Sequence, residues 1–375
     1  MALVSSLEGL WQLDSGWRKL EQSGLGGHGV FQTFDWVMSW ARSYCGRDGV
    51  YEPCIVAGYR GEELVFVWPL MLEKRGPMRV LRWLTEPLAQ YGDMLVAPGE
   101  SAEGWGRDGL VLLRRLRHID VIRLRHVRAD AVARPFVERM FRDARHVDHA
   151  PWLDLTQFAD ASTYDRRYSP AQRKRRKKIR KALEDKFGPI SFTMLPPGAC
   201  ADAAMAQAVA EKCAWLDERG RHNGVLCKDQ MTGFLQDLSR RSGGSGQLVV
   251  SRMSAGDQVL SWEIGLRFGK RHFGFVTAHV NALTDYSPAR LHMDLSQRQA
   301  LADGMTSFDL MVPNDVHKES WASGTVETRD YHLPLTAMGT AFGWIYLEGL
   351  RPAIRRAYYR LPSRLLRLLK PIIGH

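Results

Sequence analysis

The chain has 375 residues, more than one ordinary domain contains, and its 45% hydrophobic and 10% aromatic content suits packed cores and excludes intrinsic disorder. Its net charge of +11 is concentrated, because residues 166–181 contribute +10 and residues 341–375 contribute +6, which leaves −5 for the rest. Two basic segments on an otherwise mildly acidic protein indicate local contact with phosphates or an anionic membrane. They argue against a protein that is covered by nucleic acid.

The first half of the chain predicts a mixed α/β lobe. Apolar residues recur at helical spacing in FDWVMSWARSY, and two β-rich runs joined by the turn RGE predict a hairpin. The predicted elements are a helix at 34–44, strands at 51–59, 63–72 and 78–85, a helix at 109–119 and a strand at 120–127. This order is typical of a mixed sheet flanked by helices.

The second half repeats this order in outline after the basic segment. Glycines end its predicted helices, and short turns join its predicted strands. The predicted elements are a strand at 190–195, helices at 204–220 and 230–243, strands at 247–254, 258–268 and 271–280, a helix at 289–304 and a strand at 306–312. The two halves share no close residue-level repeat, so their relation is architectural.

Cysteine usage and hydropathy bear on where the chain resides. The five cysteines have no CxxC pair and no histidine at metal spacing, which predicts reduced core thiols and no metal centre. The N-terminal sequence lacks a secretory signal, and no segment has about 20 consecutive apolar residues. We therefore expect a cytoplasmic location. The cysteines are Cys45, Cys54, Cys200, Cys213 and Cys227.

Seven short sequence segments, taken in their order along the chain, resemble those of a known protein family. They are FQTFDWVMSW, VAGYRGEELVFVWPL, QYGDMLVAPG, DVIRLRHV, RKRRKKIRKALEDKFGPISF, TDYSPARLHMDLSQRQALADGMTSFDLM and HKESWASG. In this order they resemble GNAT-superfamily acyltransferases, in the two-lobed branch that is associated with cellulose and exopolysaccharide biosynthesis and related to Fem-type peptidyltransferases. No nucleophile elbow, P-loop, HExxH or dinucleotide-binding motif competes with this interpretation.

The resemblance implies a fold and a domain division. We expect two tandem GNAT-like lobes with mixed sheets flanked by helices, followed by a basic amphipathic C-terminal helix. The expected division is an N-terminal lobe at 1–160, a basic linker helix at 161–188, a C-terminal acyltransferase lobe at 189–340 and a basic tail at 341–375. The second lobe is expected to carry the chemistry.

The resemblance also implies an acyl-CoA donor, acetyl-CoA or another. Many GNAT members hold the CoA pyrophosphate on a glycine-rich turn before a helix, but residues 284–290 here contain no glycine. Ser287 as N-cap and Pro288 as first helical residue still leave N–H groups for an anion. The expected cofactor-binding residues are Ser287, Ala289 and Arg290.

Acyl transfer to an amine needs a base, oxyanion donors and an acid. Glu263 is the first candidate for the base because it shares a strand face with Ser261 and Gly265, and an ordinary solvent-facing carboxylate is the alternative. Tyr286 is a candidate acid, unless it covers a core edge. The resemblance implies that the segment with His317, Lys318 and Trp321 borders the active site, as a comparable segment does in the family. The full candidate set is Glu263, Tyr286, His317 and Lys318 for catalysis, and His279, Asp285, Asp309 and Trp321 for substrate binding.

Purely structural roles are the alternatives for these loop residues. Asp285 at the start of a helix is typical of a cap, and the segment after Asp309 also fits an exposed polar loop. The basic run at 173–181 predicts a solvated helix, or a helix that holds phosphates of CoA, of a lipid-pyrophosphate-linked sugar or of anionic lipid.

The tail from Trp344 has apolar residues on one predicted helical face and arginines on another, with an interruption at Pro362. Such a helix binds a membrane surface or packs on the protein's own body. Its RxxxR spacing also suits a cyclic dinucleotide such as cyclic-di-GMP, although one basic helical face produces the same spacing. The anion-binding candidates are Arg351, Arg355, Arg356 and Arg360.

These observations predict an acetyl-CoA-dependent N-acyltransferase that modifies an amino sugar or related amine in bacterial exopolysaccharide or cell-envelope biosynthesis. Its expected partners are a polysaccharide or lipid-linked amino-sugar substrate and the inner face of the cytoplasmic membrane. One alternative is a Fem-like transferase that uses aminoacyl-tRNA, which the basic run helps to recruit. Another is a non-catalytic effector that senses a cyclic dinucleotide or the membrane through its tail.

Overall fold

The computed structural model describes residues 1–350 except residues 25, 47–48, 87, 117, 222 and 242–245. The fifteen strands are β1 (Ala2–Val4), β2 (Tyr51–Pro53), β3 (Ile55–Arg60), β4 (Glu63–Trp68), β5 (Leu70–Arg75), β6 (Met78–Trp83), β7 (Leu95–Val96), β8 (Val121–Arg128), β9 (Arg142–Asp154), β10 (Ile190–Leu195), β11 (Gly246–Ala255), β12 (Gln258–Phe268), β13 (Arg271–His279), β14 (Ser307–Asp309) and β15 (Gly324–Pro334).

Twelve α-helices lie between or beside these strands. They are α1 (Leu7–Gln12), α2 (Asp14–Gly24), α3 (Phe34–Tyr44), α4 (Ala102–Arg114), α5 (Arg134–Met140), α6 (Ala161–Arg166), α7 (Pro170–Phe187), α8 (Ala199–Glu218), α9 (Gln230–Arg240), α10 (Pro288–Ala302), α11 (Val316–Glu319) and α12 (Ala337–Ala341). Two 3-10 helices (Gly29–Gln32 and Asn281–Tyr286) and a π-helix (Phe342–Leu350) complete the described structure.

Most strands belong to one continuous mixed sheet. Its eleven strands run in the order β10-β11-β12-β13-β14-β9-β15-β8-β6-β5-β2, and a separate four-stranded sheet has the order β1-β3-β4-β7. Each half contains a parallel pair joined through a helix, β6 and β8 in the first half and β13 and β14 in the second. The predicted two-lobed mixed α/β fold is therefore confirmed, whereas the division at residues 160 and 188 stays a prediction.

The two halves exchange strands at the centre of the large sheet. Strand β9 of the first half pairs with β14, and β15 of the second half pairs with β8. Strands β9 and β15 also pair with each other. Neither strand was among the predicted elements, so the sheet is more continuous than two separate lobes would be.

Apolar packing also joins the halves. Helix α3 packs on α9, where Trp36 meets Phe234 edge-on with ring centroids 5.0 Å apart. Phe31 contacts Phe273 of β13 in the same core. Such aromatic pairs bury large apolar areas, so the halves are held by a shared core as well as by the shared sheet.

Three predictions about the fold were wrong. The run at 51–59 is not one strand, because β2 pairs with β5 in the large sheet whereas β3 pairs with β1 and β4 in the small one. The run at 63–72 is not one strand, because Pro69 lacks the N–H that a continuing ladder needs and separates β4 from β5, which belong to different sheets. The cysteines are not all reduced, because Cys213 of α8 and Cys227 form a disulfide. Cys45 and Cys54 are buried thiols as expected, whereas the free Cys200 is exposed.

Candidate functional site

The parallel strands β13 and β14 diverge at the centre of the second half. They pair only where Arg271, His272 and Phe273 face Ser307, Phe308 and Asp309, so β13 continues to His279 without this neighbour. The chain after Asp309 turns away at Met311, whose φ of 57° is in the left-handed region. The divergence leaves an opening in the sheet between the end of β13 and the segment that leads to α11.

A groove of about 460 Å³ lies beside this opening, between α7, α10 and α11. Its lining combines apolar and cationic side chains, with Ile179 and Arg175 on α7, Leu291 and Arg290 on α10, and Trp321 after α11. Arg290 is in the first turn of α10, where its backbone N–H donates to the Ser287 oxygen at 3.1 Å and its guanidinium is the group available to an anion. The groove therefore suits a ligand with an apolar part and a phosphate. The remaining lining residues are Gln172, Arg176, Asp294, Val316, His317 and Ser320.

The groove carries uncompensated positive charge. Its carboxylate, Asp294, is bound by Arg176 and by Arg298, whose Nε is 2.9 Å from Asp294 Oδ2. Among the described residues, no acidic side chain lies within salt-bridge distance of Arg175 or Arg290. Burial and the charges of Arg175 and Arg176 lower the pKa of Arg290. Since like charges repel here, an anionic ligand would be stabilised.

Arg176 also fixes one wall of the groove. Its guanidinium carbon lies 3.3 Å from the ring centroid of Tyr168 and 4.4 Å from that of Trp321. Trp321 is 2% exposed, and the Arg167 side chain donates a 2.9 Å hydrogen bond to its backbone oxygen. The indole is therefore a rigid wall and a part of the core, not a mobile substrate clamp.

His317 and Lys318 are neighbours on α11 but project differently. The Asp315 carboxylate caps this helix by accepting from the Lys318 backbone N–H. His317 lines the groove, where its ring centroid is 6.4 Å from that of Trp321. Burial and the charge of Arg290 lower the pKa of His317, so its imidazole is neutral at pH 7.

The Lys318 ammonium points towards the segment after β14. It donates to the backbone oxygens of Met311 at 2.9 Å and Pro313 at 3.0 Å. Burial lowers the pKa of Lys318 to about 8, which Asp315 and Asp309 only partly oppose. Near neutral pH this group is therefore mainly a cation that can donate a hydrogen bond, yet it loses its proton within the physiological range.

A second cationic cluster lies on the α8 side of the sheet. The Lys212 ammonium is 4.8 Å and the Arg219 guanidinium carbon 4.1 Å from the ring centroid of Trp215. Burial and the charges of Lys212 and Arg219 lower the pKa of His279, which hydrogen-bonds Thr284 at 3.2 Å. The predicted substrate residue His279 thus belongs to this cluster, which also lies near α11, because, besides burial, the charge of Lys212 lowers the pKa of His317 and of Lys318.

Glu263 does not reach the groove, which corrects its assignment as the base. It is 2% exposed and its Oε1 is 2.7 Å from His272 Nε2. Burial alone would raise the pKa of Glu263, but the hydrogen bond and charge of His272 outweigh it and lower that pKa. Neighbouring Ser251 and Ser261 hold the two ring nitrogens of the fully buried His292. This face of β12 is a closed polar core under α10.

Tyr286 also lies away from the groove, so its assignment as the acid is not supported by its position. Its hydroxyl accepts a 2.8 Å hydrogen bond from Lys186 at the end of α7, and its ring packs on Phe187. Tyr286 therefore covers a core edge, the alternative that the sequence left open. Asp285 is exposed and does not cap α10, since Ser287 occupies the N-cap position.

The predicted anion-binding turn is only partly realised. Pro288 begins α10 as expected, but Ser287 has a φ of 55° and its side chain makes no capping hydrogen bond. Ala289 is partly buried and is not among the groove-lining residues. Only Arg290 of the three predicted cofactor residues lines the groove.

Asp309 has a structural role that replaces its predicted substrate role. It is fully buried, and its Oδ1 accepts from the Tyr91 hydroxyl at 2.7 Å and from the Met311 N–H at 2.8 Å. Its Oδ2 accepts from Arg128 at 3.1 Å. Arg271 also lies 3.6 Å from Oδ2, so these four groups and full burial leave the carboxylate no free position for a substrate.

Sequence reasoning missed several residues that now frame the site. Arg175 and Arg176 lay within the basic run but were not distinguished from its solvated cations. Lys212 and Trp215 gave no signal, because they occur in a helix without a recognisable motif. The tail arginines Arg351, Arg355, Arg356 and Arg360 lie outside the described residues.

Comparison with known protein families identifies the second half. Residues 171–319 match the family described as "Acetyltransferase (GNAT) domain". The chain contains a GNAT domain. This domain includes the groove-lining residues of α7, α10 and α11 up to Glu319, so the groove is a feature of the matched region. No curated protein sequence matches the chain.

Solved structures share the fold over nearly the whole chain. FemX aligns with a TM-score of 0.54 at 10% identity and covers 82% of this chain and 93% of its own. The C-terminal domain of a putative lysylphosphatidylglycerol synthetase from Agrobacterium fabrum gives 0.53 at 10% identity, covering 90% and 95%. L-PGS from Bacillus licheniformis gives 0.53 at 11% identity, covering 92% and 96%. These likenesses show that the GNAT domain and the first half together adopt a Fem-like fold.

Proposed function

We propose that the chain is an N-acyltransferase whose acyl donor carries a phosphate that binds in the groove between α7 and α10. The observation that carries this proposal is the pair Arg175 and Arg290, which faces the groove of a GNAT domain without an acidic partner among the described side chains. The apolar wall formed by Ile179 and Leu291 suits the rest of such a donor. An acyl-CoA has this combination of groups.

We infer different roles for the two residues on α11. The neutral His317 accepts the proton of the attacking amine as the new C–N bond forms, and passes it to the thiolate released when the C–S bond breaks. The Lys318 ammonium donates two of its N–H groups to the backbone oxygens of Met311 and Pro313. Its third N–H group stabilises the developing oxyanion. The divergence of β13 and β14 gives the thioester access to both.

The acceptor is proposed to be an amine on a phosphate-bearing amino sugar of the bacterial cell envelope or an exopolysaccharide. Support comes from the cations around Trp215, since Lys212 and Arg219 offer an anion site near α11, where, besides burial, the charge of Lys212 also lowers the pKa of His317. A cytoplasmic location and a lipid-linked substrate are part of the same proposal.

Donor binding tests the first part directly. Arg290→Gln and Arg175→Gln should each weaken the binding of CoA by about tenfold or more in calorimetry, because each removes a charge-assisted hydrogen bond. Lys178→Gln is the matched control, since this exposed lysine is on α7 but outside the groove. Equal loss in the control, or full binding in Arg290→Gln, would contradict the assignment.

Turnover tests the reaction. Acetyl-CoA and glucosamine oligomers should release free thiol, and His317→Gln should reduce that rate by about two orders of magnitude if it is the base. Lys212→Met should abolish any preference for glucosamine 6-phosphate over glucosamine. Absence of thiol release with every amine would refute the acyl-CoA form of the proposal.

One observation favours a second donor, aminoacyl-tRNA. The outward face of α7 carries exposed cations beyond those in the groove, namely Lys174, Lys177, Lys178 and Lys181. A single CoA cannot reach all of them, whereas a polyanion can. If tRNA is the donor, Lys178→Gln should weaken salt-sensitive tRNA binding, so the control of the CoA experiment becomes the decisive variant.

A further inference from the structure

The last described segment of the chain has one face docked on the protein and one apolar face in solvent. Its docked face is fixed by Leu347, which is fully buried, and by Gly343, which lies against His332. The His332 ring also contacts the Glu348 carboxylate at 2.9 Å. The π-helix Phe342–Leu350 therefore has a defined orientation relative to β15.

The opposite face exposes large apolar side chains. Trp344 is 55%, Ile345 69% and Leu350 50% exposed, and Met338 on α12 is 41% exposed. In the described part of the chain only ten large hydrophobic side chains are exposed, and four of them lie in these thirteen residues. We call Met338, Trp344, Ile345 and Leu350 the apolar patch. Such a concentration marks a binding surface, because isolated proteins seldom leave it in water.

Positive charge surrounds and follows this patch. The Arg142 guanidinium carbon lies 5.4 Å from the Trp344 ring centroid, and the exposed Arg145 is next to Glu348. Residues 351–375, which continue directly from Leu350, contain seven Lys or Arg and no acidic residue. A protein partner would need an apolar surface and many carboxylates together, whereas an anionic bilayer surface supplies both in one place.

We propose that the apolar patch inserts into the interfacial region of an anionic lipid bilayer while the basic residues around and after it contact the headgroups. Tryptophan prefers this region because its ring is apolar and its N–H is polar. The segment is too short and too polar to span: within the described residues no helix is long and apolar enough to cross a membrane. Binding is therefore expected to be peripheral and weakened by salt.

The test uses the full-length protein and two vesicle preparations, phosphatidylcholine alone and phosphatidylcholine with phosphatidylglycerol. The triple variant Trp344→Ser, Ile345→Ser, Leu350→Ser should bind the anionic vesicles at least tenfold less than the wild type in co-sedimentation. A matched control replaces three exposed apolar residues elsewhere, Leu7→Ser, Trp11→Ser and Val111→Ser, which are 39%, 55% and 51% exposed. The control should bind as the wild type does.

A charge variant tests the headgroup part. Replacing Arg351, Arg355, Arg356 and Arg360 by Gln should remove the preference for phosphatidylglycerol and the sensitivity to salt. The proposal is overturned if the wild type binds neither vesicle, if the patch variant binds like the control, or if the charge variant keeps its preference. A wild-type dimer that dissociates only in the patch variant, without vesicle binding, would assign the patch to a second copy instead.

Discussion

The pH dependence of turnover offers a direct test of the role of Lys318. Burial lowers the pKa of this side chain from 10.5 to about 8. This difference corresponds to roughly 3 kcal/mol against the charged form, at 1.36 kcal/mol for each pKa unit. If the ammonium stabilises the oxyanion, turnover must fall as pH rises through 8 and the proton is lost. Between pH 8 and pH 10 the protonated fraction falls from about one half to about 1%, so the rate should fall by roughly fiftyfold.

The variant Lys318→Arg keeps the positive charge at all accessible pH values, because the guanidinium pKa exceeds about 12. Its alkaline limb should therefore disappear, even if its maximal rate is lower. Initial rates of thiol release are compared after subtraction of spontaneous thioester hydrolysis. Lys186→Arg is the control, since Lys186 binds Tyr286 away from the groove. An unchanged alkaline limb in Lys318→Arg, or an equal shift in Lys186→Arg, would refute the oxyanion role.

Three further predictions concern stability. Glu263→Gln should lower the free energy of unfolding by roughly 1–3 kcal/mol in urea titrations but leave turnover within about twofold, because this carboxylate is buried beside His272 and outside the groove. The pKa of Glu263 in the folded protein is lowered, so its contribution to stability should be present above about pH 4.5 and lost as pH falls further. A large loss of rate with unchanged stability would contradict this structural role of Glu263. Asp309→Asn should cost roughly 1–3 kcal/mol, since the buried Arg128 loses one charged partner but keeps Asp130, and a neutral effect in the same titration would refute the structural role. Reducing the Cys213–Cys227 disulfide should cost roughly 3 kcal/mol, given its separation of 14 residues, and an unchanged melting temperature in dithiothreitol would show that it adds nothing.

Hydrophobic periodicity predicted most elements because each of them turns an apolar face to a buried core. The strand predicted at 258–268 is β12 with the same bounds, and the strand predicted at 190–195 is β10. The central strand β15 escaped prediction because its buried positions are mostly polar, whereas β9 buries mainly small residues and exposes Val147. In β15, Thr328, Asp330 and His332 are each at most 1% exposed. A pattern based on apolar residues cannot detect a strand whose inward side chains are polar.

The candidate site was predictable in its region but not in its residues. Alternation along β12 correctly placed Glu263 and Ser261 on one face, yet only the structure shows that α10 covers this face. The groove depends on the approach of α7 to α10, which are about a hundred residues apart in sequence. Single-sequence patterns carry no information on such an approach, so Arg175 could not be distinguished from its neighbours on the basic helix.

The exchanged strands give the first half a defined part in the proposed chemistry. Asp309 is the last residue of β14, at the point where that strand diverges from β13. Two of its side-chain partners, Tyr91 and Arg128, belong to the first half. Because Asp309 also holds the Met311 N–H, these partners fix the segment whose carbonyl oxygens bind Lys318. The first half therefore positions the proposed oxyanion donor through the buried Asp309, although none of the described groove-lining side chains belongs to β1–β9.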